Sequence, residues 1–250
     1  MPASAPSASS HDSAPGQPLR TGPIWAAESI TTLLMLLSMT VLFRLLQHPE
    51  AWLAQHVTSP STRLMTGAVV CGLVVAALIS SPLGRISGAH MNPAVTVMLW
   101  LAGKVPGGRV PVYVSAQLAG SLLGTALGRA LLGSPLADTH VRYALLSPPV
   151  SRSSVLIGVG EAMATAVLLV VVLHVARRPE LEDVASAAVG ATLTVLIILT
   201  APLTGSSLNP ARQFGPWFMA GSPGPLWPYL VGPLAAAVIV GTAARLLPSR

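Results

Sequence analysis

The sequence predicts an all-α membrane protein: six transmembrane helices plus two re-entrant half-helices, arranged as inverted repeats. Three observations carry this. The 250 residues are 52% hydrophobic and only 9% charged, with a mean hydropathy of +0.68, far more apolar than a soluble domain of that size. Six apolar blocks are long enough to cross a bilayer, which takes about 20 residues of helix. The tripeptide Asn-Pro-Ala occurs twice, each copy between two such blocks and each followed by an apolar run too short to cross.

Taken in order, Met1–Pro23 is rich in Pro, Ser and Ala and has no apolar run. It lacks the hydrophobic region of a signal peptide and is expected to be a disordered cytoplasmic tail. The spans follow at Ile24–Leu46, Leu64–Leu83, Val110–Leu132, Val155–Ala176, Val184–Leu203 and Trp227–Leu247. None carries the polar face that a water-exposed helix needs. The short runs are Ala94–Ala102 and Ala211–Ala220. The chain thus divides into a tail (1–23), a first repeat (24–148) and a second repeat (149–250).

Charge sets the expected orientation. With both termini cytoplasmic, that side holds Arg20, Arg85, Lys104, Arg109, Arg177, Arg178, Arg245 and Arg250. The outer side holds Arg44, Arg63, Arg129, Arg142 and Arg152. The excess has the sign the positive-inside rule requires. The net charge of +6 is spread over residues that flank the spans, so it argues for topology and against a nucleic-acid partner. A single cysteine, Cys71, excludes a disulfide framework within the chain.

The two copies of the motif read Ser87-Gly88-Ala89-His90-Met91-Asn92-Pro93-Ala94-Val95 and Gly205-Ser206-Ser207-Leu208-Asn209-Pro210-Ala211-Arg212. Glu28 and Glu161 form a second matching pair, each near the start of the first span of its half. Three spans per half force the second half to enter the membrane from the opposite side. Asn caps free N–H groups and Pro suits the first helical position, so each motif opens a helix. A ten-residue half-helix is roughly 15 Å long, and two end to end match the hydrocarbon thickness. The loops therefore dip in from opposite faces and meet near the midplane. Non-helical backbone at that depth lines a cavity or is buried in protein.

The phrases SGAHMNPAVT and GSSLNPARQFGP resemble the two signature loops of the aquaporin and glycerol-facilitator family. The resemblance runs from about Trp25 to Leu247 and includes Glu28, Glu161, Gln117 and the glycines Gly120, Gly124 and Gly128. It implies a homotetramer in the lipid bilayer of the plasma membrane, with one pore per monomer and no cofactor. Asn92 and Asn209 are then expected to face each other, each amide donating to the oxygen of a passing molecule, while the positive helix ends oppose cations. The alternative is that both are only N-caps. Gly88–Met91 and Gly205–Leu208 are expected to present backbone carbonyls to the pore.

Arg212 lies one turn beyond Asn209 on the same helix face, and a charge at membrane depth costs about 2.5–3.5 kcal/mol on insertion scales. Its counterpart in the first repeat is Val95, so the fold's symmetry does not require it. The resemblance assigns Arg212 to the outer constriction; a snorkelling side chain is the alternative. Counting along the family pattern adds Ile197 and Ser206, and leaves Cys71 and Gly72 as alternatives in the second span. An extra residue within Ser80–Arg85 would favour Cys71. Glu28 and Glu161 are expected to accept hydrogen bonds from the N–H groups of the re-entrant loops rather than relay protons. His90 resembles the family histidine of the inner vestibule, and no second ligand accompanies it to hold a metal.

Water-selective members usually carry Phe and His where this chain has a small residue and Ile197. The pattern is closer to the nodulin-26-like branch, which implies glycerol, urea and neutral metalloid acids as permeants beside water. Gln213, however, stands where the glycerol facilitators have Asp. The expected activity is passive passage of small uncharged solutes. Alternatives are a water-selective channel and, with only Glu28 and Glu161 to couple ions, a secondary transporter. No nucleophile–base pair or metal cluster suggests an enzyme.

Overall fold

The computed structural model describes residues 21–146 and 152–246. Residues 1–20 of the tail, the boundary between the repeats at 148–149 and the terminal Arg250 lie outside them. The elements are α1 (Thr21–Gln47), α2 (Trp52–His56), α3 (Pro60–Ser80), α4 (Pro82–Ser87), α5 (Pro93–Leu101), α6 (Val110–Leu132), α7 (Ser154–Ala176), α8 (Glu182–Thr204), α9 (Pro210–Met219) and α10 (Trp227–Leu246). Six of these are long and apolar enough to cross a membrane, namely α1, α3, α6, α7, α8 and α10. The half-helices α5 and α9 have nine and ten residues.

Several boundaries differ from the sequence expectation, the second span beginning at Pro60 and the fifth at Glu182, and two of the shifts have a clear local cause. Thr21–Pro23 belong to α1 rather than to the tail, because a proline in the first turn lacks only an N–H that has no helical partner. The second span stops at Ser80 instead of Leu83. The Ser81 hydroxyl donates to Leu78 O at 2.7 Å and accepts from Gly84 N at 3.0 Å, so it ends α3 and caps the short α4 at Pro82. Finally, α2 and α4 are too short for hydrophobic periodicity to reveal them.

The packing is symmetric under exchange of the two halves. α1 packs on α6 as α7 packs on α10; α5 lies against α10 as α9 lies against α6. Each half-helix is thus held by the opposite repeat. The self-related pair is α3 and α8, which cross where Gly72 and Gly190 meet. A Cβ on either glycine would strike the other's carbonyl oxygen. Small residues also face α1 from α6, where Gly120, Gly124 and Gly128 admit its backbone and Thr40. Such close approach is how helices associate in lipid, where hydrophobic burial gives no drive.

With each of the six long helices crossing once, Thr21, Leu246 and the α7–α8 connection fall on one side and residues 133–146 on the other.

Candidate functional site

The two re-entrant loops share one backbone design. Gly88, Ala89 and Met91 have φ of 84°, 43° and 48°; Gly205, Ser206 and Leu208 have φ of 92°, 57° and 54°. Only the two glycines adopt this left-handed region freely, so four ordinary residues are strained at roughly 1–2 kcal/mol each. Something must hold them there, and buried hydrogen bonds do. The hydroxyls of Ser87 and Thr204 accept from the N–H groups of Ala89 and Ser206 at 3.1 and 3.0 Å. Each loop also receives a carboxylate from a span of its own repeat.

Glu161 on α7 is fully buried. Its Oε1 accepts from Ser207 N at 3.0 Å and Thr204 Oγ1 at 2.7 Å, and its Oε2 from Leu208 N at 2.7 Å. Glu28 on α1, equally buried, accepts on Oε1 from Met91 N at 2.5 Å and Gln117 Nε2 at 2.8 Å. Gln117 also donates to Thr96 Oγ1 at 3.0 Å. That hydroxyl meets His90 Nδ1 at 3.0 Å, and the His90 ring stacks on Tyr113 with centroids 4.3 Å apart. Hence one polar chain ties α1, α5 and α6 to the first loop.

The loops meet at their asparagines. Asn92 Nδ2 donates to Leu208 O, and Asn209 Nδ2 to Met91 O, both at 2.8 Å. Each Oδ1 caps its own half-helix, Asn92 through Ala94 N and Asn209 through the N–H groups of Ala211 and Arg212. Capping and pairing use the acceptor and one donor of each amide, and one N–H of each has no partner among the described residues. Pro93 and Pro210 occupy the first helical positions, with the buried Ala94 and Ala211 next.

A cavity of about 560 Å³ runs past this junction. One end is bounded by Arg178, Pro179 and Glu182, the other by Cys71, Ile197, Ser206 and Arg212, with His90, Asn92 and Asn209 between. Most of its remaining wall is apolar, including Met35, Met39, Val75, Leu168 and Leu193. Neither Glu28 nor Glu161 is part of the lining. Cys71 lines the cavity with its thiol on Met39 Sδ at 3.1 Å, whereas Gly72 faces Gly190 and Thr194. Of the two second-span alternatives, the structure therefore turns Gly72 away. The first half takes one residue more from the glycine crossing to the loop (Gly72 to Gly88, against Gly190 to Gly205), and the break at Ser81 falls within that stretch, whereas α8 runs unbroken to Thr204.

Arg212 is 9% exposed and lines that second end. Its Nη1 donates to Ala144 O at 2.7 Å, and the guanidinium carbon lies 5.4 Å from the Phe43 ring centroid, close enough for a cation–π contact. The acceptor comes from the segment after α6, where Asp138 takes the His140 N–H and Nδ1 at 2.8 Å each. These bonds, the backbone one first, hold the Asp138 carboxyl below its ordinary pKa, so the turn keeps its ionised acceptor to well below neutral pH.

Residues 23–243 match the sequence model described as Major intrinsic protein. The chain belongs to the major intrinsic protein family. That family is one of multi-pass membrane channels, not of enzymes. This major intrinsic protein is 37% identical over 180 residues to Aquaporin NIP1-3 of Oryza sativa subsp. japonica, which covers 72% of this chain and 60% of that protein. It is 36% identical over 172 residues to Nodulin-26 of Glycine max, covering 68% and 61% respectively. The chain thus spans about 60% of the length of the curated relatives it matches. Its fold is that of the aquaglyceroporin from Plasmodium falciparum, with a TM-score of 0.72 at 22% identity over 90% of this chain and 94% of that one.

Sequence reasoning missed several residues of this site. Phe43 and Tyr229 looked like ordinary span residues, yet Phe43 underlies Arg212 and the Tyr229 hydroxyl donates to Thr204 O at 2.7 Å. Ser121 joins α6 to α9, donating to Ala211 O at 2.5 Å and accepting from Gly215 N at 2.9 Å. Its place one turn after Gln117 and one before Thr125 on α6 was the available signal for Ser121. The two aromatic residues gave none.

Proposed function

We propose that this major intrinsic protein is a passive channel for water and small uncharged solutes, among them glycerol, urea and neutral metalloid acids, and that it excludes ions and protons. The observation that carries the proposal is the reciprocal bonding of the two loops, Asn92 to Leu208 O and Asn209 to Met91 O at 2.8 Å each, beside a cavity that passes both asparagines. A solute oxygen arriving there meets the spare N–H of each amide and the positive ends of α5 and α9. Both favour a neutral acceptor over a cation. Backbone carbonyls of Gly88–Met91 and Gly205–Leu208 replace part of its hydration shell. The carboxylates of Glu28 and Glu161 anchor the loops from outside the lining, a position that gives a proton no relay along the path.

At the outer end, Arg212 and Ser206 offer polar contacts while Ile197, Cys71 and Met39 make the facing wall apolar. Such a mouth suits a compact solute with hydroxyls on one side. The assembly is proposed to be a homotetramer in the plasma membrane with both termini cytoplasmic, the basic residues Arg85, Lys104, Arg109, Arg177, Arg178 and Arg245 then lying inside. Stopped-flow flux of water, glycerol and arsenious acid in the same proteoliposomes tests the solute class. Wild type is expected to pass all three, and Ile197→His, which replaces an apolar contact by a polar ring with a hydrogen-bond donor, to reduce the two larger solutes more than water. Ready water flow with exclusion of both larger solutes would instead establish a water-selective channel.

A further inference from the structure

Gln213 follows Arg212 on α9 and is 2% exposed, yet it does not line the cavity. Its Oε1 accepts from Leu146 N at 3.3 Å and its Nε2 donates to Leu146 O at 3.0 Å. A side-chain amide thereby satisfies both polar groups of one backbone residue, donor to acceptor and acceptor to donor. Two residues earlier in the same outer segment, Ala144 O receives the Arg212 guanidinium at 2.7 Å. Consecutive residues of α9 therefore grip one segment. Leu146 also packs on the second re-entrant loop: its Cβ lies 3.0 Å from where a Cβ of Gly205 would stand, at the head of the loop that carries Ser206.

The segment requires such a hold. Arg142, Tyr143 and Ala144 have φ of 44°, 56° and 63°, a run of three non-glycine residues that an untethered loop would relax to negative φ. Relaxation there would carry Ala144 O away from Arg212 and free the guanidinium to change rotamer.

We propose that Gln213 is a positioning residue of the outer constriction: by clamping Leu146 it keeps Ala144 O on Arg212 and so sets the solute size the mouth admits. This rests on Arg212 forming the constriction. Gln213→Leu removes both bonds at similar volume. Gln213→Glu keeps the acceptor for Leu146 N–H but sets a carboxylate oxygen against Leu146 O. The full-length chain in proteoliposomes is assayed for the glycerol-to-water permeability ratio, beside Arg212→Val, with hydrogen exchange at Leu146 as the report on the clamp.

The ratio is expected to rise about fivefold or more in Gln213→Leu and less in Gln213→Glu, with Leu146 exchange accelerated in the same order. An unchanged ratio in Gln213→Leu despite released Leu146 exchange, while Arg212→Val shifts the ratio, overturns the inference and leaves the constriction standing. A ratio unmoved in Arg212→Val overturns both. Should the α9 variants fail to fold, Leu146→Pro deletes the N–H from the other side. Leu145 already has φ −63° and ψ 128°, the extended region that a following proline requires. The same rise is expected, and no change would equally refute the clamp.

Discussion

Replacing each buried glutamate by glutamine separates two anchors that the repeat makes look equivalent. Glu161 holds three donors with both oxygens: Thr204 Oγ1 and Ser207 N on Oε1, Leu208 N on Oε2. Glutamine offers one acceptor oxygen, so in Glu161→Gln its NH₂ faces the Leu208 N–H, and an unpaired buried donor costs about 1–3 kcal/mol. Glu28 is different. Met91 N and Gln117 Nε2 share its Oε1, and Oε2 has no partner among the described residues. Glu28→Gln, with its amide oxygen in that place, keeps both bonds and loses only their charge assistance, about 1 kcal/mol. Glu161→Gln loses that as well as the pairing, so it is expected to be less stable than Glu28→Gln by about 1–3 kcal/mol. Each kcal/mol moves the thermal midpoint of a chain this size by about 2–4 °C, which places Glu161→Gln about 2–12 °C lower. Thermal unfolding in detergent followed by tryptophan fluorescence measures it. Equal midpoints, or a lower one for Glu28→Gln, would refute the unequal anchoring. Proton flux in vesicles is expected to be absent from wild type and both variants; a wild-type current lost in either variant would make that glutamate a proton carrier.

Two further outcomes follow from where small residues sit. A thiol-reactive blocker is expected to reduce solute flux through Cys71, which lines the cavity, and Cys71→Ser to abolish the effect; full flux through completely labelled protein would refute its place at the mouth. Gly72→Ala sets a methyl against Gly190 O and Thr194 Oγ1, an overpacking expected to cost about 1–3 kcal/mol. The midpoint should fall by several degrees, and an unchanged one would refute the tight α3–α8 crossing.

Much of this protein was legible in its sequence because a bilayer narrows the choices. A chain that must satisfy its own backbone in hydrocarbon forms helices, and the apolar blocks located all six spans, Val110–Leu132 to the residue. Asn92 and Asn209 were legible for a different reason. Asn-Pro at a helix start is local chemistry, and two copies between spans admit few other geometries. The paired glutamates stood out because a carboxylate inside a span is costly without donors.

Local signals ended where partners come from distant parts of the chain. Cys71 and Gly72 are adjacent and both small, and only the rotation of α3 against α8 decided which one met the cavity. Gln213 could be marked as unusual, but its partner Leu146 lies 67 positions away, in a segment whose left-handed backbone no pattern announces. The unequal satisfaction of Glu28 and Glu161 was equally invisible, since it depends on where Thr204, Ser207 and Gln117 fall in space. The sequence by itself determined the spans, the inverted repeat and the two capped half-helices, because hydropathy and capping act between near neighbours. Tertiary structure alone decided which side chains line the cavity and what holds them, because those contacts depend on helix rotation and on backbone atoms that every residue shares.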